Sequence, residues 1–283
     1  MAFEIPPVTA FVLLSRPDEG LIDGDLVADR LAADWQLDTG ISPVQVASPT
    51  PRPEPTTAVG AVALMIEDCA VDLFLMQGQL ADPTDLAAQC AAGSGWYADQ
   101  PWDGGHAAYL EVRIAEPDSS DPDEARTRQE LGELLTKLVA SLLVVSDAAA
   151  AVHYMPSVNL LDPANFREVA TGFLPETLPH PIWLQLRLEE VTPPGSETSF
   201  VAGFTVGLAW LGFTELELEP LPAPLDFGAA ALRAAASMIM SGDLEQRDGA
   251  EFGEDLKFRL QHTSEPRYAG GDEAYVLRPV VEG

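Results

Sequence analysis

Apolar and polar side chains alternate every second residue in several separate stretches of this chain, and a period of two leaves few folds open. In HAAYLEVRIAE, Leu110, Val112 and Ile114 fall on one side and Tyr109, Glu111 and Arg113 on the other. In GFTELELE the acids Glu215, Glu217 and Glu219 oppose Leu216 and Leu218, and in LKFRLQHT the polar set Lys257, Arg259 and Gln261 opposes Leu256, Phe258 and Leu260. WLQLRLEEV carries Trp183, Gln185 and Arg187 on its outer side. Strands with one dry and one wet side belong in antiparallel sheets packed on one face. Were GFTELELE and LKFRLQHT neighbours, their acids and bases would pair across the ladder.

Between these strands lie stretches with helical spacing. DGDLVADRLAADW starts at Asp23 or Asp25, either of which can cap it, and Asp82-Pro83 opens a second helix in the usual manner of an acidic cap followed by proline. The longest helix, EARTRQELGELLTKLVASLLVVS, shows one buried face through Leu131, Leu134, Leu135, Leu138, Leu142 and Val145. The order strand, helix, strand, strand, helix, strand occurs once before that helix and again after it. The expected architecture is therefore α+β, with two ferredoxin-like (split βαβ) units of antiparallel sheet related by internal duplication. Their boundaries are expected at 1–117 and 148–283, joined by a helix in 118–147. SPTPRPEPTT and EPDSSDPDE read as a proline-dense surface loop and a solvated acidic hinge.

Charge narrows the function classes. Fifteen Lys and Arg face forty-five Asp and Glu, a formal net charge of −30, on a chain of 283 residues that is 47 % hydrophobic. Such a surface repels nucleic acid and anionic membranes and attracts a basic protein partner. No apolar stretch is long and unbroken enough to span a bilayer, and MAFEIPPVTAFVLL lacks the basic start of a secretory signal, so a cytoplasmic location is expected. Cys69 and Cys90 fit a reducing compartment and read as small buried side chains.

Motifs for chemistry are scarce. His106, His153, His180 and His262 are far apart, without the spacing that would put two imidazoles on one metal, and no phosphate-cradling glycine loop or nucleophile elbow occurs. No metal and no cofactor is expected. The residues best placed for binding are His106 and Trp102 beside a Gly-Gly loop, His153 on a strand of the second half, the Trp183 and Arg187 pair, and Glu215 with Glu217.

Four stretches carry a family resemblance: AFVLLSRP, the segment from Trp96 to HAAYLEV, Thr205-x-Gly207-Leu208 followed by Gly212 and Glu215, and RDGAEFGEDLKFRLQHTSEP. Together they resemble the bacterial DUF4261 family, although Asp248-Gly249-Ala250-Glu251 stands where members have a Gly-Asp-Thr-like turn. The resemblance brings no catalytic residues. It implies a bacterial cytoplasmic protein with a role near toxin–immunity or secretion systems. The expected function is non-enzymatic protein binding of immunity or adaptor type. The alternative is a small-molecule enzyme or ligand-binding protein with a pocket at the seam of the halves, using His106, Trp102 or His153.

Overall fold

The computed structural model describes residues 8–41, 56–92, 102–115, 127–192, 198–254 and 256–280. The proline-dense loop and the acidic hinge lie almost wholly outside them. The chain divides into two compact units, one of residues 1–91 with 95–182 and one of residues 183–283 with 92–94.

In the first unit, seven strands form one sheet: β1 (Val8–Leu14), β2 (Thr39–Ile41), β3 (Thr57–Ile66), β4 (Cys69–Gln77), β5 (Ala108–Ala115), β6 (Ala149–Tyr154) and β7 (Asn159–Leu161). Their order is β2-β3-β4-β5-β1-β6-β7 and every ladder is antiparallel. The central β1 is buried on both faces, which its run of apolar residues requires. The helices are α1 (Gly24–Trp35), α2 (Pro83–Ala92), α3 (Arg128–Val145), α4 (Pro163–Phe173) and the single turn α5 (His180–Trp183). Their starts follow local chemistry. Asp23 accepts the Leu26 N–H, Thr127 and Glu130 form a reciprocal capping box, and Asp162 accepts from Ala164 and Asn165 with Pro163 in the first turn.

α3 covers the sheet face that carries Tyr154, whose hydroxyl donates to the Gly132 carbonyl. α1 and α4 pack on α3. The other face holds a cluster of Phe11, Leu13, Phe74, Met76, Tyr109, Ala151 and Leu160, closed by Leu86 of α2.

The second unit has a six-stranded sheet of β8 (Gln185–Val191), β9 (Phe200–Val206), β10 (Leu216–Leu221), β11 (Glu251–Phe252), β12 (Phe258–Thr263) and β13 (Ala274–Pro279). The order is β11-β12-β13-β10-β9-β8, with β10 and β13 parallel and the other pairs antiparallel. A parallel pair needs a crossover, and α6 (Leu225–Ser241) lies on that connection, packed on β8, β9 and β10. Gly228 makes the approach close: a Cβ there would meet Val201 Cγ2 at 2.6 Å.

The α+β class is as expected and both sheets are largely antiparallel, but β10 and β13 pair parallel and the strand order differs from the expected one. A ferredoxin-like unit places its first strand between the third and fourth, whereas here β5 separates β4 from β1 because α2 returns the chain to the strand next door. β6 and β7, expected in the second half, pair onto β1 and complete the first sheet, where β6 satisfies the backbone N–H and C=O groups of the β1 edge that β5 leaves open. α3 therefore lies inside the first unit, and the division falls after Ile182, not in 118–147. With one sheet wholly antiparallel and the other holding a parallel pair, the two units share neither an order of elements nor a topology. GFTELELE and LKFRLQHT are not neighbours either, because β13 runs between them.

Candidate functional site

The expected wet side of β10 turns out to be occupied. Glu217 is 3 % exposed, and its carboxylate accepts three backbone N–H groups: Arg267 at 3.1 Å, Tyr268 at 2.5 Å and Ala269 at 2.6 Å. A buried anion is tolerable only when hydrogen bonds replace its water, and here the loop between β12 and β13 supplies them. Glu217 thereby holds that loop down on the sheet.

Glu215, just ahead of β10, does the same for the turn after β9. Its carboxylate accepts from Gly207 N at 2.8 Å, Ala209 N at 3.0 Å and the Thr205 hydroxyl at 2.7 Å, while the Leu216 N–H donates to the Thr205 hydroxyl at 2.8 Å. Thr205, Gly207 and Glu215, which stand together in the resemblance segment, are thus one hydrogen-bonded unit.

Between the held loop and the sheet lies a pocket of about 300 Å³. Gln261, Thr263, Val276, Arg278 and Glu219 line it from the strands, and Glu265, Arg267 and Tyr268 from the loop. Arg278 Nε is 3.4 Å from Glu219, and the Arg267 guanidinium lies 5.0 Å from the centre of the Tyr268 ring. Each wall therefore presents a guanidinium and a carboxylate, alongside hydroxyl and amide groups. The arrangement suits recognition by charge and hydrogen bonding. Its volume is at the small end of ligand sites.

The other residues singled out from sequence are dispersed. His106 is buried before β5, where the Leu80 N–H donates to its Nε2 at 2.8 Å and its Nδ1 lies 2.9 Å from the Gly104 carbonyl. Those two bonds assign the proton to Nδ1 and hold the ring between two loops. Gly104 has φ +80°, and a Cβ there would lie 1.9 Å from the Pro83 carbonyl oxygen. Trp102 tilts against His106 at 6.5 Å and packs on the Phe11 cluster.

His153 is buried on β6 opposite Phe11. His106 lies two residues ahead of Ala108, the partner of Leu14, so in register it is five residues along from Phe11, roughly 16 Å. Both lie in the first unit, and the register does not bring them together. Trp183 is 1 % exposed and sits in α5, not on the outer side of a strand. Arg187 is half-buried on β8, its Nε donates to Gln185 at 2.7 Å, and burial pushes its guanidinium below the usual arginine range. Tyr109 and Glu111, expected on a wet face, are both 0 % exposed.

Sequence reasoning missed Arg267, Tyr268 and Arg278. The loop SEPRYAGGDE did carry a signal, an Arg-Tyr pair in a glycine-rich connection between two strands. Among the described residues no group of three or more His, Cys, Asp or Glu side chains is placed to hold a metal ion. Cys69 is buried, and the side chain of Cys90 lies outside the described residues. Comparison with family models, curated proteins and solved structures finds no match to this chain.

Proposed function

We propose that this chain is a non-enzymatic binding protein of immunity or adaptor type that engages a basic protein partner. The excess of forty-five acidic over fifteen basic side chains carries the reading. Arg16, Arg30, Arg113, Arg247, Arg259 and Arg278 each lie within 4.0 Å of a carboxylate of this same chain, so much of its positive charge is already neutralised locally. The remaining carboxylates steer a cationic partner and disfavour an acidic one. A cytoplasmic setting belongs to the same proposal; no helix among the described residues is long and apolar enough to cross a membrane. So does membership of DUF4261, which predicts that relatives keep Thr205, Gly207 and Glu215 together. The test is capture from the native host across a salt series. A specific partner of high isoelectric point, released as salt rises, is expected; capture of acidic partners, or of none at low salt, refutes the reading.

A second reading is favoured by the pocket of about 300 Å³ in the second unit, in place of one at a seam using His106, Trp102 or His153. Its paired charges suit a small zwitterion. A thermal-shift screen of amino acids and short peptides should give a stabilising hit that Arg267→Ala and Arg278→Ala each abolish. A hit that survives both substitutions rejects this reading.

A further inference from the structure

The formal charge of −30 is unevenly spread, and the hairpin of β12 and β13 is an exception to it. Residues 256–280 carry Lys257, Arg259, Arg267 and Arg278 against Glu265, Asp272 and Glu273. Two of these arginines are directly opposed, because the antiparallel register pairs Arg259 of β12 with Arg278 of β13. Like charges at directly opposite positions repel. Each is balanced from its far side. Arg278 Nε lies 3.4 Å from Glu219 of β10, and Arg259 donates from Nε and Nη2 to a single oxygen of Glu251 on β11, at 2.9 and 2.5 Å. The row across the four strands reads acid, base, base, acid, with the two guanidinia at its centre.

Neither guanidinium is exhausted by its own carboxylate. An arginine carries five N–H donors in a planar fork. Arg259 commits two of them to one oxygen, and among the described residues Arg278 makes the single long contact. Both side chains are exposed. A third guanidinium comes from the loop. The Arg267 N–H donates to Glu217 at 3.1 Å, which seats that residue one same-face step along β10 from Glu219, roughly 6.6 Å. Its side chain lines the pocket together with that of Arg278 and is in no ion pair among the described residues. Glu265, on the same loop and the same wall, is in none either.

We infer that the ligand of this pocket is an acidic α-amino acid, with its side-chain carboxylate between Arg259 and Arg278, its α-carboxylate on Arg267 and its ammonium on Glu265. The inference rests on the reading of the pocket as a site for a zwitterion and names the class. A carboxylate between the two forks supplies the counter-charge that the opposed pair lacks on its inner side, through charge-assisted hydrogen bonds that the guanidinium fork makes specific. The step from Glu219 to Glu217 is comparable to the reach between the two carboxylates of an extended glutamate. The overall negative charge of the chain does not forbid an acidic ligand. At physiological ionic strength, exposed charges beyond a Debye length of about 8 Å are largely screened, so the local balance on the hairpin decides. A neutral amino acid would leave the arginine pair uncompensated.

Isothermal titration calorimetry of the full chain with L-glutamate and L-glutamine, which differ by one side-chain charge, tests this. Glutamate should bind the unaltered protein about tenfold more tightly, a difference of ~1.4 kcal/mol. Arg259→Gln, an exposed change, should bring the two affinities level without altering that for glutamine. Glu265→Gln should weaken both amino acids and leave glutarate, which has no ammonium, unchanged. Lys257→Gln, which removes an equal charge from the same hairpin, should change nothing. Equal affinities for glutamate and glutamine in the unaltered protein overturn the acidic-ligand assignment while leaving the zwitterion reading standing. So does a preference that survives Arg259→Gln or disappears with Lys257→Gln. Binding of neither amino acid refutes the zwitterion reading, and this inference with it.

Discussion

The two units bury carboxylates in opposite ways. In the seven-stranded sheet, Glu111 lies at 0 % exposure on the face of Phe11 and Phe74, with the Arg113 guanidinium 3.9 Å away and itself 5.8 Å from the centre of the Phe74 ring. Its counter-charge comes from its own strand, two residues along. In the six-stranded sheet, Glu215 and Glu217 are nearly as buried but are met by backbone N–H groups of loops that fold back on them. The first arrangement leaves the surrounding chain as it was; the second organises it. A buried acid bonded to backbone is a device for fixing a loop, and in this protein it shapes the walls of the pocket.

Substitution breaks that contrast most sharply at Glu217. Glu217→Ala leaves three N–H groups without their acceptor and should cost roughly 3–5 kcal/mol in urea unfolding, given about 1–3 kcal/mol for each unsatisfied buried donor and partial rescue by water. Hydrogen exchange should show the amides of residues 267–269 losing protection, and Glu217→Gln should restore part of it. Unchanged protection would mean that the loop is held by something else. Thr205→Val removes a hydroxyl that both donates to Glu215 and accepts from Leu216 N, and should cost about 1–3 kcal/mol. In the other unit, Glu111→Gln should cost under about 1 kcal/mol, because neutralising the buried charge also removes its desolvation penalty while Arg113 keeps a path to solvent. A loss as large as that for Glu217→Ala would erase the distinction between the two devices.

The smallest effect is a pH dependence at the α1–α3 contact. Burial raises the Asp34 carboxyl, but hydrogen bonds from Arg30 and Ser141 and the charges of Arg30 and Arg167 outweigh it and hold the group below its ordinary range. A carboxylate lowered on folding contributes stability that is complete above its unfolded pKa of about 3.9 and is lost as pH falls through the lower folded value. Asp34→Asn should therefore flatten the acid limb of the stability curve below about pH 4 and leave its shape at neutral pH unchanged. An acid limb that stays the same assigns that stability to other carboxylates.

Local signals in this chain were read with success where the chemistry is local. Asp23 caps α1, and Asp82 with Pro83 opens α2, because a cap acts on amides two or three residues away. The alternation of β5, β10 and β12 correctly assigned side chains to faces. It failed on which faces meet water. Tyr109 and Glu111 are covered by α2 and the Trp102 segment, or by their own sheet neighbours, and Glu217 is covered by a loop fifty residues downstream. Arg267 and Tyr268 were legible as an unusual loop, but their role as a pocket wall depends on Glu217.

The sequence by itself determined the α+β class, the antiparallel strands, most helix starts and the acidic field, since each follows from residue type and near-neighbour spacing. Tertiary structure alone decided the strand order, the place of β6 and β7 in the first sheet, and the conversion of apparently exposed acids into loop anchors. Pairing and burial depend on which distant segments share a face, and a period of two is the same whichever neighbour a strand acquires.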